Sequence, residues 1–307
     1  MYALLNVYKP RGMSSHDVIR LLKPLLPKKT RIGHAGTLDP AAEGVLVVCL
    51  GPATRLAEIV QEYDKQYETL ACLGATSTTD DAEGQVWLVP NAQPPTAEQL
   101  AQVVERYVGR IQQVPPAHSA VMVEGQRAYR LARLGQSVQL SARTVTIQSL
   151  EVVDYLWPKL RLRVSCTSGT YIRALVRDIG RDLGCGGYCL QIVRKAIGPF
   201  TAERAVTPEE LQTGGVAPFL LPPAEAFPPQ RRILVSPQQA QALKAGRAVK
   251  MAQDSRGTQS RNIAIGIPPD MPDAAGATVG VCVGEGELIA VGRFDRDCLR
   301  PVKVLVE

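Results

Sequence analysis

The chain has 307 residues, 45% of them hydrophobic, which suits a globular protein with one large domain or a large and a small one. Its formal net charge is +6 and its isoelectric point is near 9.0, which favours an acidic partner such as a nucleic acid. The sequence contains no long apolar span, signal peptide, nucleotide-binding loop or metal-ligand spacing, so it predicts a cytoplasmic protein that works without membrane, metal or nucleotide cofactor.

The first third of the chain predicts both strands and helices. The N-terminal segment has the pattern of a strand, and the continuous apolar run 45–50 predicts a strand buried on both faces. A helix is expected over about 52–63, with a proline in its first turn. Residues 67–73 alternate, which predicts a further strand.

The middle of the chain continues this mixture. Residues 97–108 predict an amphipathic helix, residues 160–166 a half-buried strand, and residues 171 to about 183 another helix. Strands and helices follow one another without a regular βα period. The predicted fold class is therefore α+β, with a mixed or antiparallel sheet and flanking helices.

A change of composition divides the chain near its last quarter. Residues 213–232 are rich in proline and glycine and predict a linker, from which we expect domains at 1–228 and 229–307. The second domain has short apolar segments at 233–235, 279–283, 288–291 and 302–306, which predict a small β-barrel. An insert at 252–278 is expected to be a mobile loop.

The segment 33–40 has the most unusual sequence, Gly-His-Ala-Gly-Thr-Leu-Asp-Pro. Glycine permits backbone conformations that other residues avoid, and Pro40 disfavours a helical setting for Asp39. Asp39 is therefore expected on a stiff turn that leads into a buried strand, which is a plausible place for a catalytic carboxylate. The alternative is a simple turn former whose side chain bonds to nearby backbone N–H groups.

A second unusual segment, Thr-Ser-Gly-Thr-Tyr-Ile-Arg, covers 167–173. Arg173 lies near a helix start, where it can hold a carboxylate or a phosphate through two hydrogen bonds. With Arg177 and Arg181 it forms one cationic stripe on the helix. The alternative is an ordinary helix cap with Thr170 as N-cap and a solvent-exposed arginine stripe.

The segment 33–46 resembles the signature of the TruB family, the tRNA pseudouridine-55 synthases. Four further segments resemble motifs of this family in the same order: Lys-Pro-Arg-Gly-Met-Ser-Ser at 9–15, Lys-Gln-Tyr at 65–67, Pro-Pro-Ala-His-Ser-Ala at 115–120 with the residues to 133, and Ser-Gly-Thr-Tyr-Ile-Arg at 168–173. The resemblance covers residues from about 4 to 200. Residues 233–307 resemble the PUA domain, an RNA-binding β-barrel.

The resemblance implies a cofactor-free isomerisation of uridine to pseudouridine in the T-arm of tRNA. Asp39 is then the catalytic aspartate, acting as nucleophile or as base, and Arg173 holds it ionised. Tyr67, by default a half-buried strand residue, is expected to stack on the uracil and later to take the proton at C5. Whether Asp39 attacks the ribose or the base is left open.

The resemblance and the basic charge together predict an RNA-binding surface. His34 is expected to fill the gap that a flipped uridine leaves, and Lys9, Tyr171 and Ile192 to support the site as structural contacts or walls. Phosphate contacts are expected from a basic set, which comprises Lys28, Lys29, Arg31, Arg127, Arg130 and Arg133. The predicted partner is tRNA, and the protein is expected to be a monomer.

Three alternatives remain at this point. A non-catalytic RNA-binding or RNA-chaperone protein would need only the charge and the C-terminal domain. A guide-dependent relative would act on another RNA. A glycosidase-like hydrolase would require two matched carboxylates, whereas only Asp39 lies in a motif. The sequence also departs from the family pattern at Glu43, His118 and Met122, which affects the predicted fit of the RNA.

Overall fold

The computed structural model describes residues 1–119, 121–123, 125–136, 139–251, 264–265, 278–284 and 286–305. Its strands, in chain order, are β1 (Ala3–Lys9), β2 (Ile32–Ala35), β3 (Glu43–Leu50), β4 (Lys65–Leu73), β5 (Ala75–Ser77), β6 (Val86–Leu88), β7 (Gly109–Gln113), β8 (Met122–Val123), β9 (Gln126–Arg127), β10 (Arg143–Leu156), β11 (Lys159–Cys166), β12 (Gly187–Ile197), β13 (Phe200–Thr201), β14 (Arg232–Leu234), β15 (Val249–Lys250), β16 (Ala264–Ile265), β17 (Thr278–Val283), β18 (Glu287–Asp295) and β19 (Cys298–Val304).

The helices lie mainly between and beside these strands. The α-helices are α1 (Ser15–Leu22), α2 (Ala57–Glu62), α3 (Ala97–Glu105), α4 (Ala128–Arg133), α5 (Ile172–Asp182), α6 (Pro208–Gly214) and α7 (Pro237–Lys244). Short 3-10 helices occupy Lys23–Leu25, Gly51–Leu56, Ala202–Arg204, Ala217–Phe219, Pro223–Ala226 and Pro229–Arg231. None of the helices within the described residues is long and apolar enough to cross a membrane.

The main sheet has the order β1-β3-β12-β4-β11-β10-β7 among the described strands, with β2 beside β3 and β13 beside β12. Its strand pairs are antiparallel except for β3 and β12, which run parallel. The sheet is therefore mixed, and helices pack on it, as the α+β prediction requires.

The apolar run of β3 is explained by burial on both faces. Leu46, Val48 and Leu50 pack in the core cluster that includes α1. The alternate residues Val45 and Val47 pack in a different cluster on the opposite face. Because successive strand residues point to opposite faces, a strand between two cores needs apolar residues at every position.

The predicted helix over 52–63 consists of two parts. Residues Gly51–Leu56 form a 3-10 helix, and only Ala57–Glu62 are α-helical. Thr54 Oγ1 donates to the Gly51 carbonyl at 2.8 Å, and the Ala57 N–H also bonds three residues back, to Thr54. These contacts stabilise the tighter winding in the first half.

The segment 213–232, which composition marks as a linker, is packed chain. Leu221 and Leu4 exchange two backbone hydrogen bonds of 2.9 Å. Ala226 and Phe227 are buried in a cluster that contains residues of both sheets. Proline and glycine disfavour regular hydrogen bonding, but the apolar residues between them still bury their side chains, so the segment that joins the two sheets is packed against them.

The C-terminal residues form a second sheet, with the order β15-β19-β18-β17-β14-β16 among the described strands. Helix α7 packs on it around Ile233, Leu243 and Phe294. Its Cys282 and Leu288 also belong to the cluster shared with the main sheet. The predicted mobile loop at 252–278 lies outside the described residues, apart from β16 and the first residue of β17.

Candidate active site

A cleft of about 810 Å³ opens where β2, β4, β12 and α2 approach the start of α5. Its lining combines carboxylates, cations, an imidazole, two phenol rings and apolar groups from segments distant in sequence. The lining residues are His34, Gly36, Thr37, Leu38, Asp39, Ala42, Glu58, Gln61, Glu62, Lys65, Tyr67, Arg127, Ser168, Gly169, Thr170, Tyr171, Ile172, Arg173, Ile192 and Arg194.

Asp39 is held on a fixed turn between β2 and β3. Leu38 is anchored just before it, because its N–H and carbonyl both bond to the Ser15 hydroxyl, at 2.9 and 3.1 Å. The Asp39 carbonyl accepts from the Ala42 N–H at 3.0 Å and thereby closes the turn. The backbone alone forms the turn, so the carboxylate is available for another partner.

That partner is Arg173. Its Nη2 lies 2.7 Å from Asp39 Oδ2, with the arginine side chain 4% exposed and the aspartate side chain 42% exposed. The carboxylate therefore faces the cleft from one side and a buried cation from the other. Burial by itself lowers the pKa of Arg173, but the Asp39 and Asp81 charges outweigh it and the pKa lies above its usual value.

Arg173 is itself fixed by a second carboxylate and two carbonyls. Asp81 Oδ2 lies 3.3 Å from Nη1, and this aspartate is also buried. The Thr79 and His118 carbonyls accept from the guanidinium at 2.8 and 2.9 Å. With five donors in a rigid plane, an arginine so held has little freedom, and its orientation determines that of Asp39.

The arginine stripe on α5 is largely neutralised by neighbouring aspartates. Arg177 pairs with Asp80 at 2.9 Å, and Arg181 pairs with Asp178 at 2.9 Å. Tyr171, rather than Thr170, is the N-cap residue, and the Thr170 hydroxyl bonds back to Thr167. Neither the predicted cap nor a free cationic stripe is therefore present in α5.

Tyr67 and Arg194 are neighbours across the sheet. The register places Arg194 of β12 between Gly44 of β3 and Tyr67 of β4. Tyr67 is buried, and burial raises the pKa of its hydroxyl while the Arg194 charge opposes the rise. The Tyr67 ring thus lines the cleft as a neutral phenol at physiological pH.

Three buried cations, two that line the cleft and one beside it, bond to backbone carbonyls. Arg194 donates to the carbonyls of Val45, Thr37 and Gly36 at 2.8, 3.3 and 3.0 Å. Lys9 bonds to the carbonyls of residues 10, 13 and 42, and Lys65 to those of residues 61 and 63. No carboxylate of the described residues forms an ion pair with any of the three.

The charge of these cations affects the site. Burial lowers the pKa of Lys9 to about 8, although the nearby Asp39 charge raises it. Burial, together with the Arg194 charge, lowers the pKa of Lys65 to about 8. Because Arg194 binds the carbonyls of Gly36 and Thr37, three and two residues before Asp39, it helps to fix the loop that carries the carboxylate. Lys9 does not line the cleft.

The other predicted cleft residues lie on its walls. His34 of β2 has no hydrogen-bond partner for Nδ1 among the described residues, and burial followed by the Arg194 charge lowers its pKa. Ile192 forms an apolar wall, and Arg127 lies at the rim. The Arg143 guanidinium stacks 4.8 Å from the centre of the Tyr171 ring.

The remaining predicted phosphate-binding residues lie elsewhere. Lys28, Lys29 and Arg31 line a separate cavity. Arg130 is exposed on α4 and donates to the Tyr129 hydroxyl at 3.4 Å. Arg133 is the last residue of α4, and its side chain is outside the described part of the structure.

Sequence reasoning assigned no role to Asp81, Lys65 or Arg194. A signal existed for the first, because two aspartates follow three threonines and a serine in the segment Thr-Ser-Thr-Thr-Asp-Asp at 76–81. Lys65 and Arg194 sit in strands whose alternation marks them only as inward-facing. Their contacts depend on which strands become neighbours, which the local pattern does not contain.

The arrangement is suited to chemistry at a carbon atom of a planar, polar ligand. An oriented carboxylate can act as nucleophile or base, a phenol ring offers a stacking surface, and buried cations favour negative charge that develops in the cleft. Within the described residues, no cluster of histidine, cysteine and carboxylate side chains could hold a metal ion.

Comparison with known proteins identifies the family of this chain. Residues 23–172 match the model of the TruB family pseudouridylate synthase N-terminal domain. A tRNA pseudouridine synthase B of Cupriavidus metallidurans is 37% identical over 99% of this chain and 94% of its own length, and one of Thermobifida fusca is 38% identical over 97% and 96%.

Solved structures support the fold. A Cbf5-Nop10-Gar1 complex includes a chain that superposes with a TM-score of 0.70 at 23% identity, over 99% of this chain and 85% of that one. The superposition covers both sheets, so the C-terminal sheet agrees with the PUA-like prediction. The present chain is a member of the TruB family of pseudouridylate synthases, and is therefore an isomerase.

Proposed function

We propose that this enzyme converts the uridine at position 55, in the T-loop of tRNA, to pseudouridine, with Asp39 as the catalytic carboxylate. The tRNA substrate is supported by relatives named tRNA pseudouridine synthase B that match over nearly the whole chain. The observation that carries the assignment of Asp39 is its ion pair with the buried Arg173 at the floor of an open cleft.

The reaction breaks the bond between uracil N1 and ribose C1′, turns the base, and joins C5 to C1′. The electron pair of the broken bond stays on the base, which becomes an anion. Asp39 assists either by attacking the sugar or base as nucleophile or by removing a sugar proton. When C5 has bonded to C1′, the proton at C5 is lost and N1 is protonated, so no redox change or energy input is needed.

The other cleft residues have distinct tasks in this scheme. Tyr67 stacks on the uracil, and its neutral phenol gives its proton to N1 and takes the proton from C5, so that the phenol is regenerated. Arg194, Lys65 and Arg173 supply positive charge around the uracil anion, at positions that do not require reorganisation during the reaction. Ile192 and Tyr171 wall the base, and the neutral His34 occupies the space that the flipped uridine leaves.

Access to the base requires that the uridine leave its stack. Flipping costs a few kcal/mol and costs least where a base is already unpaired, which favours a structured loop as the substrate. The surrounding basic residues bind phosphates, a contribution that salt weakens. We expect a monomer that meets tRNA in the cytoplasm, with residues 1–228 as the catalytic domain and 229–307 as an RNA-binding domain.

The test is release of tritium from a tRNA transcript labelled at uridine C5. Wild type is expected to release tritium to water, and Asp39→Asn is expected to release none while it retains RNA binding. Asp154→Asn, at an exposed position on β10, is the matched control and should behave as wild type. Tight binding without release by wild type would favour a binding protein or another RNA, and equal release by Asp39→Asn would remove Asp39 from the mechanism.

A further inference from the structure

A second cavity, about 830 Å³ in volume, lies where the main sheet meets the end of the C-terminal sheet. The loop between α1 and β2 forms one side, the 3-10 helix Gly51–Leu56 another, and the end of β19 the third. The cavity is as large as the catalytic cleft but separate from it. Four cations line it: Lys28, Lys29, Arg31 and Arg55.

The charge of this cavity is unbalanced. Its described lining contains no aspartate or glutamate. All four cations are exposed, and within the described residues none of them forms an ion pair with a carboxylate. Arg55 instead donates to the backbone carbonyl of Val304. Like charges held together without counter-charge create a positive potential that attracts anions.

The loop that carries three of these cations is fixed. Lys29 has a φ of +67°, a left-handed conformation that is uncommon for residues other than glycine. The Thr30 hydroxyl donates to the Pro27 carbonyl at 2.7 Å. The Gly51 N–H donates to the Arg31 carbonyl at 2.8 Å. The positive charges are thus presented on a rigid turn.

The cavity is connected to the catalytic cleft by a single short strand. β2 covers Ile32–Ala35, with Arg31 before it in the cavity and Gly36 after it in the cleft. At about 3.3 Å per residue, the two positions are roughly 16 Å apart. A strand of double-helical DNA advances about 3.4 Å per nucleotide along the helix axis, and at a spacing of this order the distance corresponds to roughly five nucleotides of an RNA stem.

Glu58, an acidic residue next to the cavity, is neutralised by a lysine of the C-terminal sheet. Glu58 lines the cleft one helical turn beyond Arg55. Lys303 of β19 forms an ion pair with Glu58 and donates to the Arg55 carbonyl at 3.2 Å. The C-terminal sheet therefore both closes the cavity and removes a repulsive charge next to it.

We propose that this cavity binds backbone phosphates of the substrate RNA, roughly five nucleotides from the reacting uridine, in the helical stem that leads away from the loop. The proposal rests on the proposed function, because it needs an RNA whose target lies in the catalytic cleft. The site is sequence-independent, since its contacts are to phosphates. It makes affinity depend on the length of the stem.

The experiment compares Kd for two hairpins with the same loop, one with a stem of three base pairs and one with a stem of ten. For wild type, the longer hairpin is expected to bind at least tenfold more tightly. In Lys28→Ala/Lys29→Ala, this ratio is expected to fall below threefold. The slope of log K against log salt for the longer hairpin should become shallower by one to two, as expected for lost phosphate contacts.

The control removes two positive charges elsewhere. Arg110→Ala/Lys159→Ala changes exposed residues on β7 and β11 that line neither cavity, and it should keep the wild-type ratio. If the ratio fell equally in the control variant, the effect would be one of general charge and the proposal would be overturned. The proposal would also be overturned if Lys28→Ala/Lys29→Ala kept the wild-type ratio, as it would if it lost the same affinity for both hairpins. Tritium release by wild type from the short hairpin tests the proposed function separately.

Discussion

At the level of single residues, the site depends on an arginine shared between two carboxylates. Arg173 contacts Asp39 on its cleft side and Asp81 on its buried side. Both members of the Arg173–Asp81 ion pair are buried. Removal of one member is costly, because it leaves the other as a buried charge without compensation. Asp81 therefore acts on the reaction through Arg173, as a positioning residue.

Asp81→Asn tests this role. The variant retains the shape of the side chain but loses the charge that holds Arg173, so Asp39 should lose its orientation. We expect kcat in the tritium-release assay to fall at least tenfold, with KM changed less than threefold. A thermal unfolding curve shows whether the variant is folded, and a folded variant with wild-type kcat would contradict the positioning role.

His34 gives a pH-dependent prediction. Its pKa is lowered in the folded protein from the ordinary 6.5, so the unfolded chain binds more protons than the folded one just below pH 6.5. The free energy of unfolding then falls as pH falls through 6.5, by at most about 1 kcal/mol per pH unit for one proton on a partly exposed group. Denaturant unfolding at pH 7.0 and 5.5 should show this loss in wild type and a smaller loss in His34→Gln.

At the level of elements, the site depends on the close parallel contact of β3 with β12. Gly44 has a φ of +108°, and a Cβ on it would lie 2.2 Å from the Arg194 carbonyl oxygen. The glycine thus permits the approach of β3 to β12 that brings the Arg194 side chain to the Val45 carbonyl. An added methyl group would have to push apart two backbones at the base of the cleft.

Gly44→Ala is expected to lower the free energy of unfolding by at least about 3 kcal/mol, since overpacking adds to the cost of a positive φ. Gly12→Ala is the matched control, because Gly12 also has a positive φ, +85°, but a Cβ added to it would meet no atom within 4 Å. Its cost should be about 1 kcal/mol. Urea unfolding measures both values, and equal losses would show that backbone conformation alone accounts for Gly44.

Local sequence patterns predicted the types of the helices and strands better than the residues at which they begin and end. The strand at 67–73 begins at Lys65, and the helix expected over 97–108 ends at Glu105. Periodicity reports which face of a segment is buried, so it identifies strands and helices. It does not report capping contacts such as that of Thr54, which decide how a segment begins.

At the level of the whole molecule, the two sheets share one hydrophobic cluster. Leu4 and Val45 of the main sheet pack with Cys282 and Leu288 of the C-terminal sheet, and the Tyr2 hydroxyl donates to the Leu288 carbonyl at 3.0 Å. A shared core couples the stability of the two parts. It also fixes the cavity between them, which includes the end of β19.

Leu288→Ala tests this coupling. Leu288 is fully buried, so its truncation is expected to cost about 2–5 kcal/mol. Both tryptophans, Trp87 and Trp157, lie in the N-terminal part of the chain, so their fluorescence follows unfolding of that part. The tryptophan-detected urea midpoint should move to lower urea in Leu288→Ala. An unchanged midpoint would show that the C-terminal sheet unfolds independently.

The fold class, the family and the candidate trio Asp39, Tyr67 and Arg173 could all be predicted from the sequence, because they depend on local periodicity and on motifs of adjacent residues. Tertiary structure alone decided that Arg173 also meets Asp81, that Arg194 meets the carbonyls before Asp39, and that Lys28 and Lys29 lie in a separate cavity. These contacts join residues far apart in the chain. They exist only after strand order and register have been set by burial over the whole molecule, and no local pattern encodes that order.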